Sequence, residues 1–184
     1  MSWSNTLSGK HFNFLNVTPE SICIDDIAAA LSNICRFTGH LQEFYSVAQH
    51  SVHVSYLVPD EFAMEALLHD AAEAYCNDIA TPLKALLPDY QKVGKRVELV
   101  IRSHFSLPPR MSTPVKYADL IMLATERRDF DMDDGTPWPI LEGIPCADFS
   151  ICPQNPRQAR VRFLRRFNDL KGGISSELLQ IHHA

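Results

Sequence analysis

Apolar residues return every three or four positions in segment after segment of this chain, and no stretch of comparable length alternates apolar with polar. That period fits the 3.6-residue turn of an α-helix and not the two-residue repeat of a strand. In "CIDDIAAALSNICRF", Ile24, Ile27, Ala28, Leu31, Ile34 and Cys35 form one stripe, which predicts an amphipathic helix over about 25–36. "SVAQHSVHVSYLV" opens with Ser46 and carries Gln49 three residues on, a capping-box pattern. Pro59 ends that helix, and Asp60 stands ready to cap "EFAMEALLHDAAEAYC". The latter is small and apolar almost all round, which predicts the buried central helix. Thr81–Pro82 and Thr113–Pro114 both read as an N-cap followed by Pro at the first helical position. "YQKVGKRVELVIRSHF" places Val93, Val97, Val100 and Ile101 on one stripe. A last helix runs from Asn155–Pro156 to Gly172, with Ala159, Phe163, Phe167 and Leu170 on its apolar face. Residues 131–154 have no period and read as a long loop or arm. The expected architecture is all-α: one domain over 1–184, a bundle of about seven helices, its core within 24–171.

With 184 residues at 46% hydrophobic content, the chain can bury one substantial core. A net charge of −5 does not suit broad binding to nucleic acid, so none is expected as a partner. No uninterrupted apolar segment is long enough to span a membrane. "MSWSNTLSGKHFNF" lacks the pattern of a signal peptide. Five cysteines without a CxxC pair read as reduced thiols, mostly small core residues. The expected compartment is the cytoplasm of a cell, whoever encodes the protein.

One segment departs from the apolar pattern. "ALLHDAAEAYCNDIATPLK", residues 66–84, sets His69, Asp70, Glu73 and Asp78 within ten residues. Buried ionisable groups are costly unless paired or bound to metal. His50 on the second helix and Asp119 on the helix from Pro114 complete a set of two imidazoles and two carboxylates. Such a set suits Mn²⁺, Fe²⁺, Co²⁺, Ni²⁺ or Zn²⁺, and leaves open positions on an ion that prefers six ligands. Taken singly, each residue has a plainer reading. His50 alone reads as a hydrogen-bonded core histidine, Asp119 as a partner of Lys116 or Arg127, and Asp78 as a turn cap. Lys84 and Lys116 lie close in sequence to site carboxylates and could be cations facing them or ordinary surface charges. Arg157, Arg160, Arg162, Arg165 and Arg166 read as a solvated face or subunit contact. His53 reads as packed or locally bonded; His104, His182 and His183 read as solvent-facing.

The order His50 … His69-Asp70 … Asp119 resembles the H…HD…D signature of the HD-domain phosphohydrolase superfamily. "EFYSVAQHS", "LLHDAAEAY", "DIATPLK" and "VKYADLIMLATERRD" resemble segments of a small branch containing bacterial 5′-deoxynucleotidases and phage dATP triphosphohydrolases. The resemblance covers most of residues 24–130. It implies a divalent-metal cofactor (Co²⁺, Mn²⁺, Zn²⁺, Fe²⁺, Ni²⁺ or Mg²⁺) on His50, His69, Asp70 and Asp119. Asp70 would also hold the attacking water, while Glu73 and Asp78 would serve catalysis. By the same resemblance Arg36 and Phe37 lie near the nucleotide, Phe37 standing where relatives have Trp. His40, Thr81, Lys84 and Lys116 complete the candidate substrate contacts. The implied substrate is a (deoxy)nucleoside 5′-phosphate, dATP first, with deoxynucleoside and triphosphate as products, and the implied assembly is a homo-oligomer. The alternatives are a 5′-deoxynucleotidase acting on monophosphates and a non-catalytic nucleotide sensor.

Overall fold

The computed structural model describes residues 2–181, and side chains through residue 172. Its architecture is all-α, with eight α-helices and one small hairpin among the described residues. In chain order the helices are α1 (Ile24–Asn33), α2 (Val47–Tyr56), α3 (Asp60–Leu67), α4 (Glu73–Cys76), α5 (Thr81–Ala85), α6 (Pro88–His104), α7 (Thr113–Asp129) and α8 (Pro156–Ile181). Strands β1 (Trp3–Asn5) and β2 (His11–Asn13) pair antiparallel ahead of them, where the sequence showed only an irregular arm. Asp26 of α1 fastens this hairpin by accepting from the Ser8 amide and hydroxyl, each at 2.7 Å. Phe12 is buried and stacks on Tyr75, ring centroids 4.0 Å apart.

The helix at the centre is α2, not the 61–76 segment. It packs on α1, α3, α7 and α8. Val47, Ala48 and Val52 face one core cluster, with Leu31, Leu67, Ile101 and Phe163. Val54 faces a second cluster with Ala66, Val115 and Met122. Of the polar residues that hid this centrality from the sequence, Ser46, Gln49, His50 and Ser55 find partners, while Ser51 Oγ and His53 Nδ1 are buried without one. Ser46 accepts from the Gln49 amide at 3.1 Å, as the capping pattern requires. The Gln49 side chain does not return to Ser46. It donates to the Cys152 carbonyl at 2.8 Å and accepts from the Gln154 amide at 2.9 Å.

Those bonds help to fix residues 131–154, which are a docked loop rather than an arm. Arg128 donates to the carbonyls of Ala147 and Phe149, and Asp129 accepts from the Ile151 amide. Other expectations shift by a residue or more. Thr81 and Thr113 are the first helical residues, not caps, and Ala80 and Ser112 precede them without a side-chain cap bond. Asp60 likewise begins α3 behind Pro59. Helix α8 continues through Gly172 to Ile181. The five cysteines are free and none is fully buried: Cys23, Cys35 and Cys76 are half-buried, Cys146 and Cys152 exposed. His104 is exposed, as read. His182 and His183 lie outside the described residues. Among the described residues no helix is long and apolar enough to cross a membrane.

A buried ion pair joins α3 to α6. Arg102 donates to Glu65 at 2.5 Å, and also to the carbonyls of Pro108 and Arg110. Glu65 accepts in turn from the Ser112 amide at 2.9 Å and from its hydroxyl. Arg102→Ala leaves Glu65 buried without its cation and is expected to cost about 3–5 kcal/mol in a urea titration.

His53 packs edge-on against Phe149, centroids 5.3 Å apart. Burial pushes its imidazole down to about 4, with His50 adding to the effect against Glu126. An unfolded chain's imidazole titrates near about 6.5, so between the two values the unfolded state binds the extra proton. Stability from neutral His53 is therefore intact above the unfolded value and is lost as pH falls towards about 4. Urea titrations at about pH 7 and about pH 5 should show a drop that is smaller in His53→Phe.

Candidate metal centre

Three elements aim four side chains at one point. His50 comes from the middle of α2, and Asp119 from the second turn of α7. His69 and Asp70 lie in the tight turn between α3 and α4, not within a continuous helix. Successive amides there bond three residues back: Ala71 to Leu68, Glu73 to Asp70, Ala74 to Ala71. The turn winds tighter than an α-helix and swings Asp70 beside His69.

The ligand atoms form a closed ring. Asp119 Oδ1 is 3.1 Å from His50 Nε2 and 3.8 Å from His69 Nε2. Asp70 Oδ2 is 3.2 Å from His69 Nε2 and 3.9 Å from His50 Nε2. Two ligands at right angles on an ion with bonds of about 2.1 Å stand roughly 3 Å apart. His50, His69 and Asp119 form the compact group, their atoms all within 4.8 Å of one another, and this group can hold a metal ion. His69 Nε2 is buried and has no hydrogen-bond partner, as a nitrogen reserved for a metal would be.

The outer nitrogens fix which ring atom faces inward. His50 Nδ1–H donates to Glu126 Oε1 at 2.5 Å, and His69 Nδ1–H donates to the Ala66 carbonyl at 2.7 Å. Both Nε2 atoms therefore point into the ring, and acceptors of this kind orient metal-binding imidazoles. Glu126 was not among the sequence candidates. Its signal was present: it stands seven residues after Asp119, two turns on along the same face of α7. Its other oxygen accepts from Arg36 Nη2 at 2.8 Å.

The charges support one another. Burial works against the Glu126 carboxylate, yet Arg36 and His50 hold its pKa below the usual range. Burial also opposes the Arg36 charge, and Glu126 and Asp70 overcome it. Burial raises Asp119, but the hydrogen bond from His50 and the nearby charge of His69 bring it well below an ordinary carboxylate. The same opposition, with His69 as the favourable partner, leaves Asp70 at about 2. Burial pushes His69 down, and Asp70 and Asp119 lift it well above its usual value. His50 is depressed by burial and Arg36 but raised overall by Glu126 and Asp119.

Beside the ring lies a cavity of about 280 Å³ whose wall includes His69, Asp70, Glu73, Lys84 and Tyr90. Glu73 Oε2 is buried without a partner, and Oε1 is 3.6 Å from Lys84 Nζ. Burial, then Asp70 and Asp78, lift the Glu73 carboxyl well above its ordinary value. Asp78 is raised by burial and by Asp70, against the pull of Arg36. Thr81 is exposed at the start of α5.

Arg36 and Phe37 begin the short turn Arg36–Gly39, whose base is closed by the Cys35–Ser46 bridge. Phe37 and Thr38 have φ of 53° and 57°, left-handed conformations that cost roughly 1–2 kcal/mol each outside glycine. The Arg36 guanidinium lies 5.3 Å from the Phe37 ring centre. It is committed to Glu126, so it braces the site from behind. His40 is exposed at the end of this turn, and Lys116 is exposed near the start of α7. Of the candidate substrate residues, Lys84 is the one found in the cavity wall.

A protein of Escherichia coli K12, Uncharacterized protein YfdR, is 60% identical over 171 residues, 92% of this chain and 96% of that protein. The chain belongs to the family of YfdR. A Rhodobacter capsulatus protein, Uncharacterized protein RCAP_rcc00048, is 34% identical over 127 residues, 64% of this chain and 65% of that protein. No family model matches the chain.

Glu126→Gln keeps the size of the side chain but weakens the acceptor that orients His50. It should lower metal affinity by about tenfold to a hundredfold, read by competition with a chromophoric chelator.

Proposed function

We propose that the chain is a divalent-metal-dependent phosphohydrolase of the HD-domain type, acting on nucleoside 5′-phosphates. The reading that best fits the residues is hydrolysis of a deoxynucleoside triphosphate, dATP first, to deoxynucleoside and triphosphate. One observation carries it: the converging nitrogens and carboxylates of His50, His69, Asp70 and Asp119 beside a cavity whose wall includes Lys84 and Glu73. His50, His69 and Asp119 would hold the metal, with Asp70 as a fourth ligand. When bound, the ion supplies Lewis-acid polarisation of the phosphoryl group and a more acidic water.

The chain's own residues do the rest. Asp70, at the border of the ring and the cavity, accepts a hydrogen bond from the attacking water. That water's oxygen bonds to the α-phosphorus, its proton passing to Asp70, while the bond to the 5′-oxygen breaks. Glu73, whose burial favours a protonated carboxyl, gives its proton to the departing 5′-oxygen. Lys84 neutralises non-bridging phosphate oxygens as a point charge, exchanging Glu73 for substrate. Arg36 keeps Glu126 ionised, and through it the His50 tautomer.

A second reading, a 5′-deoxynucleotidase, is favoured by the position of Lys116. It is exposed and does not belong to the cavity wall, which leaves fewer cations for a long phosphate chain. A sensor that binds without cutting is the third.

Chromatography of products from dATP and dAMP, with Mg²⁺, Mn²⁺, Co²⁺ or Zn²⁺ restored to stripped protein, separates these readings. Deoxyadenosine with intact triphosphate is expected from dATP, and none from Asp70→Ala. Glu73→Gln should lose about 10²–10⁴ in rate while still binding metal. Phosphate from dAMP alone would move the protein to the nucleotidases. Binding without turnover under every metal would make it a sensor.

A further inference from the structure

One turn along α2 from the metal centre, the first half of α8 and the loop around Phe149 enclose a second cavity of about 440 Å³. That is the size of a small-molecule site. It shares no residue with the metal ring or its cavity. Its wall carries three guanidinium groups, Arg162, Arg165 and Arg166, against one carboxylate, Asp169. This surplus of positive charge sits in a chain of net charge −5. The sequence spacing brings the four together, since residues at i, i+3, i+4 and i+7 share one face of a helix. The adjoining face of α8 holds Ala159, Phe163 and Phe167 in the core.

The three arginines are not equivalent. Arg166 is structural: it donates to the Ser55 carbonyl at 2.9 Å and the Ser55 hydroxyl at 3.1 Å, and stacks 4.0 Å over Tyr56. It ties α8 to the end of α2. Arg162 and Arg165 are exposed, and among the described residues neither makes an ion pair or a side-chain hydrogen bond. Asp169 forms no ion pair with them. His53 also lines the cavity, and its buried Nδ1 has no hydrogen-bond partner. Val52 and Phe149 add an apolar wall.

We propose that this cavity binds the phosphate group of a small molecule, gripped by Arg162 and Arg165 with His53 beside it. Two unpaired guanidinium forks match the oxygens of a phosphate dianion, and each can bond it bidentately. The apolar wall receives the body that carries the phosphate. The site is independent of the catalytic reading and would give the protein a second place at which a phosphorylated metabolite is felt.

The test is calorimetric titration of the full chain with inorganic phosphate at millimolar concentration. Saturable binding is expected, weaker by about tenfold or more in Arg162→Ala/Arg165→Ala. Both side chains are exposed, and an unchanged circular dichroism spectrum would show that the double variant folds. Asp119→Ala, which breaks the metal ring, should leave this binding in place. The proposal is overturned by no saturable binding, by equal binding in the double variant, or by loss of binding in Asp119→Ala. With the Asp119→Ala protein, a nucleoside monophosphate should compete with phosphate. A single-stranded oligonucleotide that binds far more tightly, with steep loss in salt, would assign the cavity to nucleic-acid backbone and overturn the small-molecule reading.

Discussion

The bond between His50 and Glu126 holds the rest of the arrangement in place. Both side chains are fully buried, and Glu126 Oε1 accepts from Nδ1 at 2.5 Å. A buried carboxylate survives only with charged or strongly donating partners, because desolvation costs several kcal/mol. Glu126 has two, His50 from α2 and Arg36 from the turn after α1. One carboxylate thus fixes the separation of α2 and α7, the posture of the Arg36–Gly39 turn, and the tautomer of a ligand. The left-handed backbone at Phe37 and Thr38 is tolerable because Arg36 on one side and the Cys35–Ser46 bridge at its base hold the turn.

A second economy lies at the end of α3. The last carbonyls of a helix lack intrahelical partners. The His69 ring supplies one, donating Nδ1–H to the Ala66 carbonyl three residues back. In a continuing α-helix that carbonyl would receive the Asp70 amide. Capping the helix and orienting the ligand are therefore one event. It also explains why Asp70 faces the ring: the tight turn through residues 68–72 rotates it away from where helical spacing would put it.

This is where sequence reading reaches its limit. Most helices were legible because one apolar stripe implies one buried face, as in α1, α6 and α8. The 61–76 segment is apolar all round, so its period carries no information about a break, and the turn at 68–72 went unseen. Helix α2 erred in the other direction. Ser55, Gln49 and His50 look polar, yet each finds a partner inside, and partners from distant segments such as Cys152 and Gln154 cannot be read from local pattern. The meeting of His50, His69 and Asp119 in a group that can hold a metal ion was legible because their H…HD…D order is a property of the chain. The brace behind it was not, although Glu126 shares a helical face with Asp119. Lys116 shows the opposite error: it stands three residues from Asp119 but remains exposed on the surface of α7.

The charges around the ring give a further reason for a cation there. Asp70, Asp119, Glu126, Glu73 and Asp78 interact electrostatically across this small volume, and the permanent cations among them are Arg36 and Lys84. Carboxylates so close together resist ionising unless positive charge lies among them. Without metal, protons supply it, through raised pKa values at His50 and His69 and a raised Glu73. A divalent ion displaces the two imidazole protons and leaves the local charge nearly unchanged. Glu73 and Asp78 lie outside the ring, so the proton on Glu73 remains available on the cavity side. The same crowding that makes the centre receptive to a metal also holds an acid at its edge.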